Sequence, residues 1–173
     1  MSKALIIIDM LNDFVDERGA LFCGKDSTHI VPYIKILIEK YRKEGGVIIY
    51  ACDAHRKDDE EFKRFKPHCI KGTWGAEILQ DLEPEADDYI ILKTRYSAFY
   101  GTNLEDILKK RDVDEVGIVG VCTSICVMDT VGGLANRDYD IKVFSRGIAD
   151  FNNSAEKFAI QRMKDLYGAE IVS

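Results

Sequence analysis

The stretch Val116-Gly117-Ile118-Val119-Gly120-Val121-Cys122-Thr123-Ser124-Ile125-Cys126-Val127 contains three structural signals in succession. The apolar residues at its start predict a buried strand, the small residues after them predict a turn, and a helix is expected to begin at the turn. A helix N-terminus carries unpaired N–H donors and a partial positive charge, which favour a thiolate and can hold an oxyanion. Cys126 is therefore a candidate nucleophile. The alternative is a buried structural cysteine, since free cysteine is among the most buried residue types.

Two further apolar segments end in a charged residue. Residues 4–8 lead into Asp9, and residues 89–92 lead into Lys93. Ligands of an open parallel sheet bind beyond the carboxyl ends of its strands. We therefore expect Asp9, Lys93 and Cys126 to meet at one edge, as the acid, base and thiol of a catalytic site.

The rest of the chain alternates strands with helices. The pattern predicts strands at 3–9, 47–52, 89–93, 116–119, 141–144 and 169–172, and helices at 28–43, 75–82, 103–111, 124–136 and 154–167. Nearly continuous Ile, Val and Leu in the strands indicates burial on both faces. This alternation predicts parallel βαβ units in an α/β fold, as a single domain over residues 1–173.

Composition excludes several functional classes. The 173 residues are 46% hydrophobic and 31% charged, as in ordinary globular proteins, and the net charge of −6 with no basic cluster argues against nucleic-acid binding. No apolar run approaches the ~20 residues that span a bilayer, and Met1-Ser2-Lys3 leads directly into a strand, so neither a membrane segment nor a secretory signal is expected. Five cysteines without small-domain disulfide spacing predict a reduced, cytoplasmic setting.

A metal site is predicted around the long segment 54–73. It contains His55 and His68, two of only three histidines, and Asp53 lies two residues before His55. In an extended chain Asp53 and His55 point the same way. One aspartate and two histidines suit a divalent ion such as Zn²⁺, Fe²⁺ or Mn²⁺. The alternative is a surface aspartate with two loop histidines.

Five segments, in this order, resemble the isochorismatase-like cysteine hydrolases, and within them the nicotinamidases. They are Asp9-Met10-Leu11-Asn12-Asp13-Phe14, Asp53-Ala54-His55, Pro67-His68-Cys69-Ile70-Lys71-Gly72-Thr73, Lys93-Thr94-Arg95-Tyr96-Ser97-Ala98-Phe99 and the Cys126 turn. The resemblance implies a three-layer αβα sandwich with a mostly parallel six-stranded sheet. It also implies a homo-oligomer that holds one divalent metal ion, with zinc the first expectation.

The resemblance extends to further site residues. It implies that Glu61, rather than Glu60, is a fourth metal ligand, directly or through water, and that the metal faces the ring nitrogen of the substrate. It also implies that Phe14, Tyr96 and Phe99 line the substrate pocket. The alternative for these aromatic residues is packing in the hydrophobic core. The backbone N–H groups of Cys122 and Cys126 are expected to form the oxyanion site, with a cis peptide bond at Val121–Cys122.

The chain also departs from the family pattern at a few positions. Ser124 stands where aspartate is common, Ala54 stands where tryptophan is frequent, and Gly132-Gly133 falls within a predicted helix, where glycine costs up to ~1 kcal/mol. None of these changes removes a predicted catalytic group.

Together these features predict a metal-assisted cysteine amidohydrolase that converts nicotinamide and water to nicotinate and ammonia, in pyridine nucleotide salvage. Cys126 would form a thioester, Asp9 would act as base and Lys93 would hold Asp9. The alternatives are hydrolysis of another small amide or ureido compound, vinyl-ether hydrolysis as in isochorismatase itself, and a non-catalytic interaction domain. A thiol redox protein is disfavoured, because Cys122 and Cys126 have C-x-x-x-C rather than C-x-x-C spacing.

Overall fold

Six parallel strands form one sheet in the computed structural model, which describes residues 2–173. The strands are β1 (Ser2–Ile8), β2 (Val47–Asp53), β3 (Tyr89–Lys93), β4 (Val113–Val121), β5 (Asp140–Ala149) and β6 (Glu170–Val172). Their order across the sheet is β3-β2-β1-β4-β5-β6, and every neighbouring pair is parallel. The predicted α/β fold with a six-stranded parallel sheet is confirmed. This order places the carboxyl ends of β3, β2, β1 and β4 side by side.

Helices cover both faces of the sheet. They are α1 (Asn12–Val15), α2 (Lys25–His29), α3 (Val31–Lys43), α4 (Leu104–Lys110), α5 (Met128–Ala135) and α6 (Asn153–Asp165). Leu5 and Ile7 of β1 belong to a buried cluster with α3, whereas Ile6 and Ile8 belong to the opposite cluster with α4, α5 and α6. Alternate residues of one strand therefore pack on opposite layers, as a sandwich with two helical layers requires. Within residues 2–173, none of the helices has the length and apolar character that a membrane crossing needs.

The predicted helix at 75–82 is absent. Two short 3-10 turns, Trp74–Ala76 and Gln80–Leu82, stand in its place. The residues between them are pinned in an extended form, because the N–H of Leu79 donates to the carbonyl of Met10 at 3.1 Å. This tertiary contact overrides local helix preference.

Two other predicted helices have different beginnings. The first two residues of the 28–43 prediction, Thr28 and His29, belong to α2. α3 begins at Val31 with Pro32 in its first turn, where the missing proline N–H costs nothing. Instead of an α-helix from residue 124, a π-helical turn, Thr123–Val127, precedes α5. Such turns are frequent at functional sites.

Candidate active site

Asp9, Lys93 and Cys126 meet at the carboxyl edge of the sheet. The Lys93 ammonium lies 2.8 Å from the Asp9 carboxylate and 3.6 Å from Cys126 Sγ. It also contacts the Asp53 carboxylate at 2.5 Å and donates to the Arg95 carbonyl at 3.1 Å. The side chains of Asp9, Asp53, Lys93 and Cys126 are all buried. The strand order explains the contact, since β2 lies between β3 and β1 and carries Asp53 opposite Lys93.

Burial sets the electrostatics of this group. Burial and the Asp53 charge raise the pKa of Asp9 from 3.8 to about 6, against the opposing effect of Lys93. Burial lowers the pKa of Lys93, but the Asp53 and Asp9 carboxylates outweigh it and raise that pKa well above its usual value. At neutral pH the site therefore holds an ionised Asp9 and a charged Lys93.

The thiol differs from the sequence expectation. Burial raises the pKa of Cys126 well above its usual value, and Lys93 offsets this only in part because Asp9 and Asp53 act in the opposite direction. Cys126 therefore rests as a protonated thiol rather than as a preformed thiolate. Such a thiol would have to transfer a proton to a base before attacking, and an Asp9 carboxylate oxygen lies within 4.8 Å of Cys126 Sγ.

The turn before Cys126 depends on Gly120. Its φ is +122°, and a Cβ there would lie 2.0 Å from the carbonyl oxygen of Ile8. Only glycine lets the end of β4 approach the end of β1 this closely. The peptide bond from Val121 to Cys122 is cis, as the resemblance implies. The Cys122 carbonyl accepts the N–H groups of Ile125 and Val127 at 3.1 and 3.2 Å, which fixes the turn.

Four acidic and imidazole side chains form a second cluster beside the first. Asp53, His55, Glu61 and His68 each offer one ligand atom, and these atoms all lie within 4.8 Å of one another. All four residues are buried, whereas Glu60 is exposed and pairs with Lys63. The structure thus brings Glu61, and not Glu60, to the predicted ligands.

The chemistry of this cluster fits a divalent cation. His55 Nε2 and Glu61 Oε2 are buried and have no hydrogen-bond partner among residues 2–173. Burying such atoms without a partner is costly, and a bound cation would satisfy both. Two imidazoles and two carboxylates are a suitable ligand set for zinc, iron or manganese.

Both imidazoles are oriented by their second nitrogen. His55 Nδ1 lies 3.2 Å from the Asp59 carboxylate, and His68 Nδ1 lies 2.7 Å from the Lys66 carbonyl. Since these oxygens only accept, each Nδ1 is the donor, and in the neutral imidazole Nε2 then carries the lone pair available to the cluster. Asp59 is itself held by Arg95 at 2.9 Å and by the N–H of Glu61 at 2.9 Å. The sequence interpretation did not single out Asp59.

Both clusters open into one cavity of about 290 Å³. Its wall consists of Asp9, Phe14, Leu21, Phe22, Cys23, Asp53, Glu61, Phe65, His68, Tyr96, Val121, Cys122, Ile125, Cys126 and Phe151. Phe14 and Tyr96, two of the three predicted pocket residues, belong to this wall. Phe65 and Phe151 were not foreseen, although Phe65 lies three residues before His68 and Phe151 follows β5 closely, as Asp9 follows β1.

Phe99 does not line this cavity. Its ring packs against α5, where a Cβ on Gly133 would come within 2.6 Å of Phe99 Cδ2, and the Arg137 guanidinium lies over the ring at 4.2 Å. The structure therefore gives Phe99 a packing position, which was the alternative interpretation. The same contact explains why a glycine stands at 133 within a helix.

Comparison with known proteins agrees with this geometry. The isochorismatase domain family matches residues 3–173. Nicotinamidase PncA from Bacillus subtilis superposes with a TM-score of 0.95 at 36% identity, covering 100% of both chains. Pyrazinamidase from Pyrococcus horikoshii in complex with zinc gives 0.93 at 29% identity, covering 100% of this chain and 99% of that one.

A relative with a different named substrate is also similar. N-carbamoylsarcosine amidase from Thermoplasma acidophilum gives a TM-score of 0.91 at 32% identity, covering 99% of this chain and 96% of that one. Substrate choice therefore varies among proteins that share this architecture. Because the family match spans nearly the whole chain and the solved structures match it along its length, this chain belongs to the isochorismatase family and is a hydrolase of that family.

Proposed function

We propose that the chain is a metal-assisted cysteine amidohydrolase that converts nicotinamide and water to nicotinate and ammonia. The observation that carries the proposal is the sharing of one cavity by the Asp9–Lys93–Cys126 group and the buried metal-type cluster. Nicotinamide would use both groups, with its carboxamide at the Cys126 thiol and its ring nitrogen at the metal-type cluster. The similarity to PncA and to a zinc-bound pyrazinamidase supports the same choice.

The lining of the cavity favours a neutral, flat substrate. Within residues 2–173, no lysine or arginine side chain lines it, and its charged groups are carboxylates. A substrate that itself carries a carboxylate, such as a ureido acid, would find no lysine or arginine side chain in the wall to pair with. The aromatic rings of Phe14 and Phe65 lie 5.3 and 6.2 Å from the His68 ring, which suits a small aromatic amide.

The proposed reaction has two halves. Asp9 accepts the proton of Cys126, and the sulfur attacks the carboxamide carbon to give a tetrahedral oxyanion, which the backbone N–H groups of Cys122 and Cys126 stabilise. Asp9 then donates the proton to the departing ammonia as the C–N bond breaks and a thioester forms. In the second half Asp9 deprotonates water, which hydrolyses the thioester and restores the thiol. Lys93 offsets the negative charge that develops on the sulfur.

The metal has a supporting part in this proposal. Asp53, His55, Glu61 and His68 would hold one divalent ion, with zinc the first candidate. When bound, the ion supplies a Lewis acid that orients the substrate. The protein's own contribution is to fix the two imidazoles through Asp59 and the Lys66 carbonyl.

Ammonia release from a panel of amides tests the proposal. We expect nicotinamide to be hydrolysed with kcat/KM at least ~10²-fold above benzamide, which has the same shape but leaves the metal without its ring-nitrogen partner. A chelator, or His68→Ala, should narrow that gap and lower the metal content. His29→Ala, at an exposed histidine of α2, is the matched control. Equal hydrolysis of both amides, or a metal-free wild type, would refute the nicotinamidase proposal, and faster hydrolysis of a ureido acid would favour that substrate class instead.

We further propose a cytoplasmic, homo-oligomeric enzyme that supplies nicotinate to pyridine nucleotide salvage. All five cysteines are free, which suits a reducing compartment. Ile90 and Leu92 of the edge strand β3 are about half exposed, which favours a contact with a second copy. Light scattering during size-exclusion chromatography tests the oligomer, and a monomer at micromolar concentration would refute it.

A further inference from the structure

A second pair of cysteines lies in the cavity wall, apart from the nucleophile. Cys23 Sγ and Cys122 Sγ are 3.1 Å apart, although 99 residues separate them in the chain. Both side chains are buried, and both line the cavity. A disulfide has an S–S distance of about 2.05 Å, so the two sulfurs need to approach by only about 1 Å to bond.

Backbone hydrogen bonds hold the segments on both sides of this pair. The N–H of Cys23 donates to the carbonyl of Phe14 at 2.8 Å, which holds the loop before α2. On the other side, the carbonyl of Cys122 accepts the two N–H groups that close the π-helical turn. The two thiols are therefore held face to face by the fold, and only about 1 Å separates their sulfurs from the bonding distance.

We propose that Cys23 and Cys122 are a reversible oxidation site, which a small two-electron oxidant converts into a disulfide that inactivates the enzyme. With a diazene such as diamide, one thiol adds across the N=N bond to give a sulfenylhydrazine. The second thiol then attacks that sulfur, and the hydrazine leaves. The two thiols lose two protons and two electrons, the diazene gains both, and one S–S bond forms.

Either thiol can take the first step, because both line the cavity and their sulfurs lie 3.1 Å apart. The hydrogen bond with Cys23 and burial raise the pKa of Cys122. Cys126 takes no part in either step.

The predicted loss of activity rests on the proposed function, in which the N–H of Cys122 stabilises the oxyanion. The new bond draws the loop of Phe22 and Cys23 and the turn of Cys122 towards each other by about 1 Å. A misplacement of that size at a reacting centre can cost ~10²-fold in rate. A reductant should restore the thiols and the activity together.

The bond itself can be tested without any substrate. Trypsin releases Cys23 in peptide 19–25 and Cys122 in peptide 112–137, which also contains Cys126. In the Cys126→Ala protein the second peptide carries Cys122 alone. After treatment with diamide and alkylation of the remaining thiols, mass spectrometry should find these two peptides joined, two hydrogens lighter than their sum, and dithiothreitol should separate them. Absence of the joined species would overturn the proposal, whatever the enzyme hydrolyses.

Activity gives the second test, with each protein compared with its own untreated rate. Diamide should lower the wild-type rate at least tenfold, and dithiothreitol should restore it. After diamide treatment, Cys23→Ser should keep most of its own untreated rate. Cys52→Ser, at a buried cysteine outside the cavity wall, should be inactivated by diamide to the same extent as wild type. Equal inactivation of Cys23→Ser and wild type, or a joined peptide without loss of activity, would overturn the proposed inactivation.

Discussion

Replacing Lys93 with methionine removes the ammonium that contacts Asp9, Asp53 and Cys126 while keeping a side chain of similar length. We expect the Cys126 thiol to become much less reactive, because its thiolate would then form beside two carboxylates with no adjacent lysine. The same change leaves a buried ion pair without its cation, which typically costs 3–5 kcal/mol of stability. At roughly 2–4 °C per kcal/mol for a chain of this size, the melting temperature should fall by roughly 6–20 °C.

The attraction between the Lys93 ammonium and a Cys126 thiolate sets the size of the effect on the thiol. At an effective dielectric constant of about 20, two unit charges 3.6 Å apart interact by about 4.6 kcal/mol. Because ~1.4 kcal/mol is a factor of ten, loss of this attraction lowers the thiolate population of Cys126 by at most ~10³-fold, and the pKa of Cys126 rises further above its usual value. Protonation of Asp9 or Asp53 in the variant would return part of this energy. We therefore expect alkylation of Cys126 to slow by ~10- to 10³-fold.

The assay is the rate of iodoacetamide labelling at 15 °C, where the destabilised variant is expected to remain folded, with circular dichroism as the check. The Lys93→Met variant and its control also carry Cys23→Ser and Cys122→Ser, so that Cys126 is the cysteine of the cavity wall that iodoacetamide can label. Lys109→Met is the matched control, since Lys109 is an exposed lysine paired with Glu105. Equal labelling rates in the folded Lys93→Met protein and this control would refute the electrostatic role assigned to Lys93.

Three further predictions concern the metal cluster, the base and α5. Asp59→Ala should weaken metal binding ~10- to 100-fold by releasing the imidazole that it orients, measured by titration with Co²⁺ and its visible absorbance, with the exposed Asp58→Ala as control. Since Asp9 has a pKa of about 6 and accepts a proton only when ionised, kcat/KM should be flat above that pH and fall about tenfold per unit below it. Gly133→Ala should destabilise the fold by about 1–3 kcal/mol because its Cβ would come within 2.6 Å of an aromatic ring, whereas Gly132→Ala, with its nearest neighbour at 3.3 Å, should change the melting temperature little.

Each of these expectations can fail in a specific way. Equal Co²⁺ affinities for the Asp59 and Asp58 variants would show that the His55 hydrogen bond does not organise the ligands. A pH profile that stays flat to pH 4.5 would exclude Asp9 as the titrating base. Equal melting temperatures for the two alanine variants of α5 would contradict the crowding that we infer around Gly133.

The clustering of the catalytic-type residues could be predicted because it follows from topology. Asp9 and Lys93 each end an apolar strand, and the carboxyl ends of neighbouring parallel strands must lie together. The metal cluster was only partly predictable in this way, since Asp53 ends β2 but His55, Glu61 and His68 lie in the segment that follows it. Strand ends and spacing gave Asp53, His55 and His68 as candidates, and the family resemblance was needed to add Glu61.

The cavity wall was less predictable because loops supply much of it. Cys23, Phe65 and Phe151 come from three separate connections, and no local pattern distinguishes an aromatic residue that faces a cavity from one that packs inside. Phe99 illustrates the converse, since its place in a matching segment did not determine where its ring points. Residues 75–82 were misassigned because a contact with Met10, distant in sequence, decided their conformation.

Gly120 has a consequence for how this enzyme can change over evolutionary time. A substitution there touches no substrate, yet any side chain would collide with the Ile8 carbonyl, one residue before Asp9. The collision would push the segment that bears the acid away from the segment that bears the thiol. Saturation mutagenesis should therefore find position 120 as intolerant as the reactive residues themselves. The wall of the cavity can therefore change to suit new substrates, while the absence of a side chain at Gly120 keeps the spacing between Asp9 and Cys126 constant.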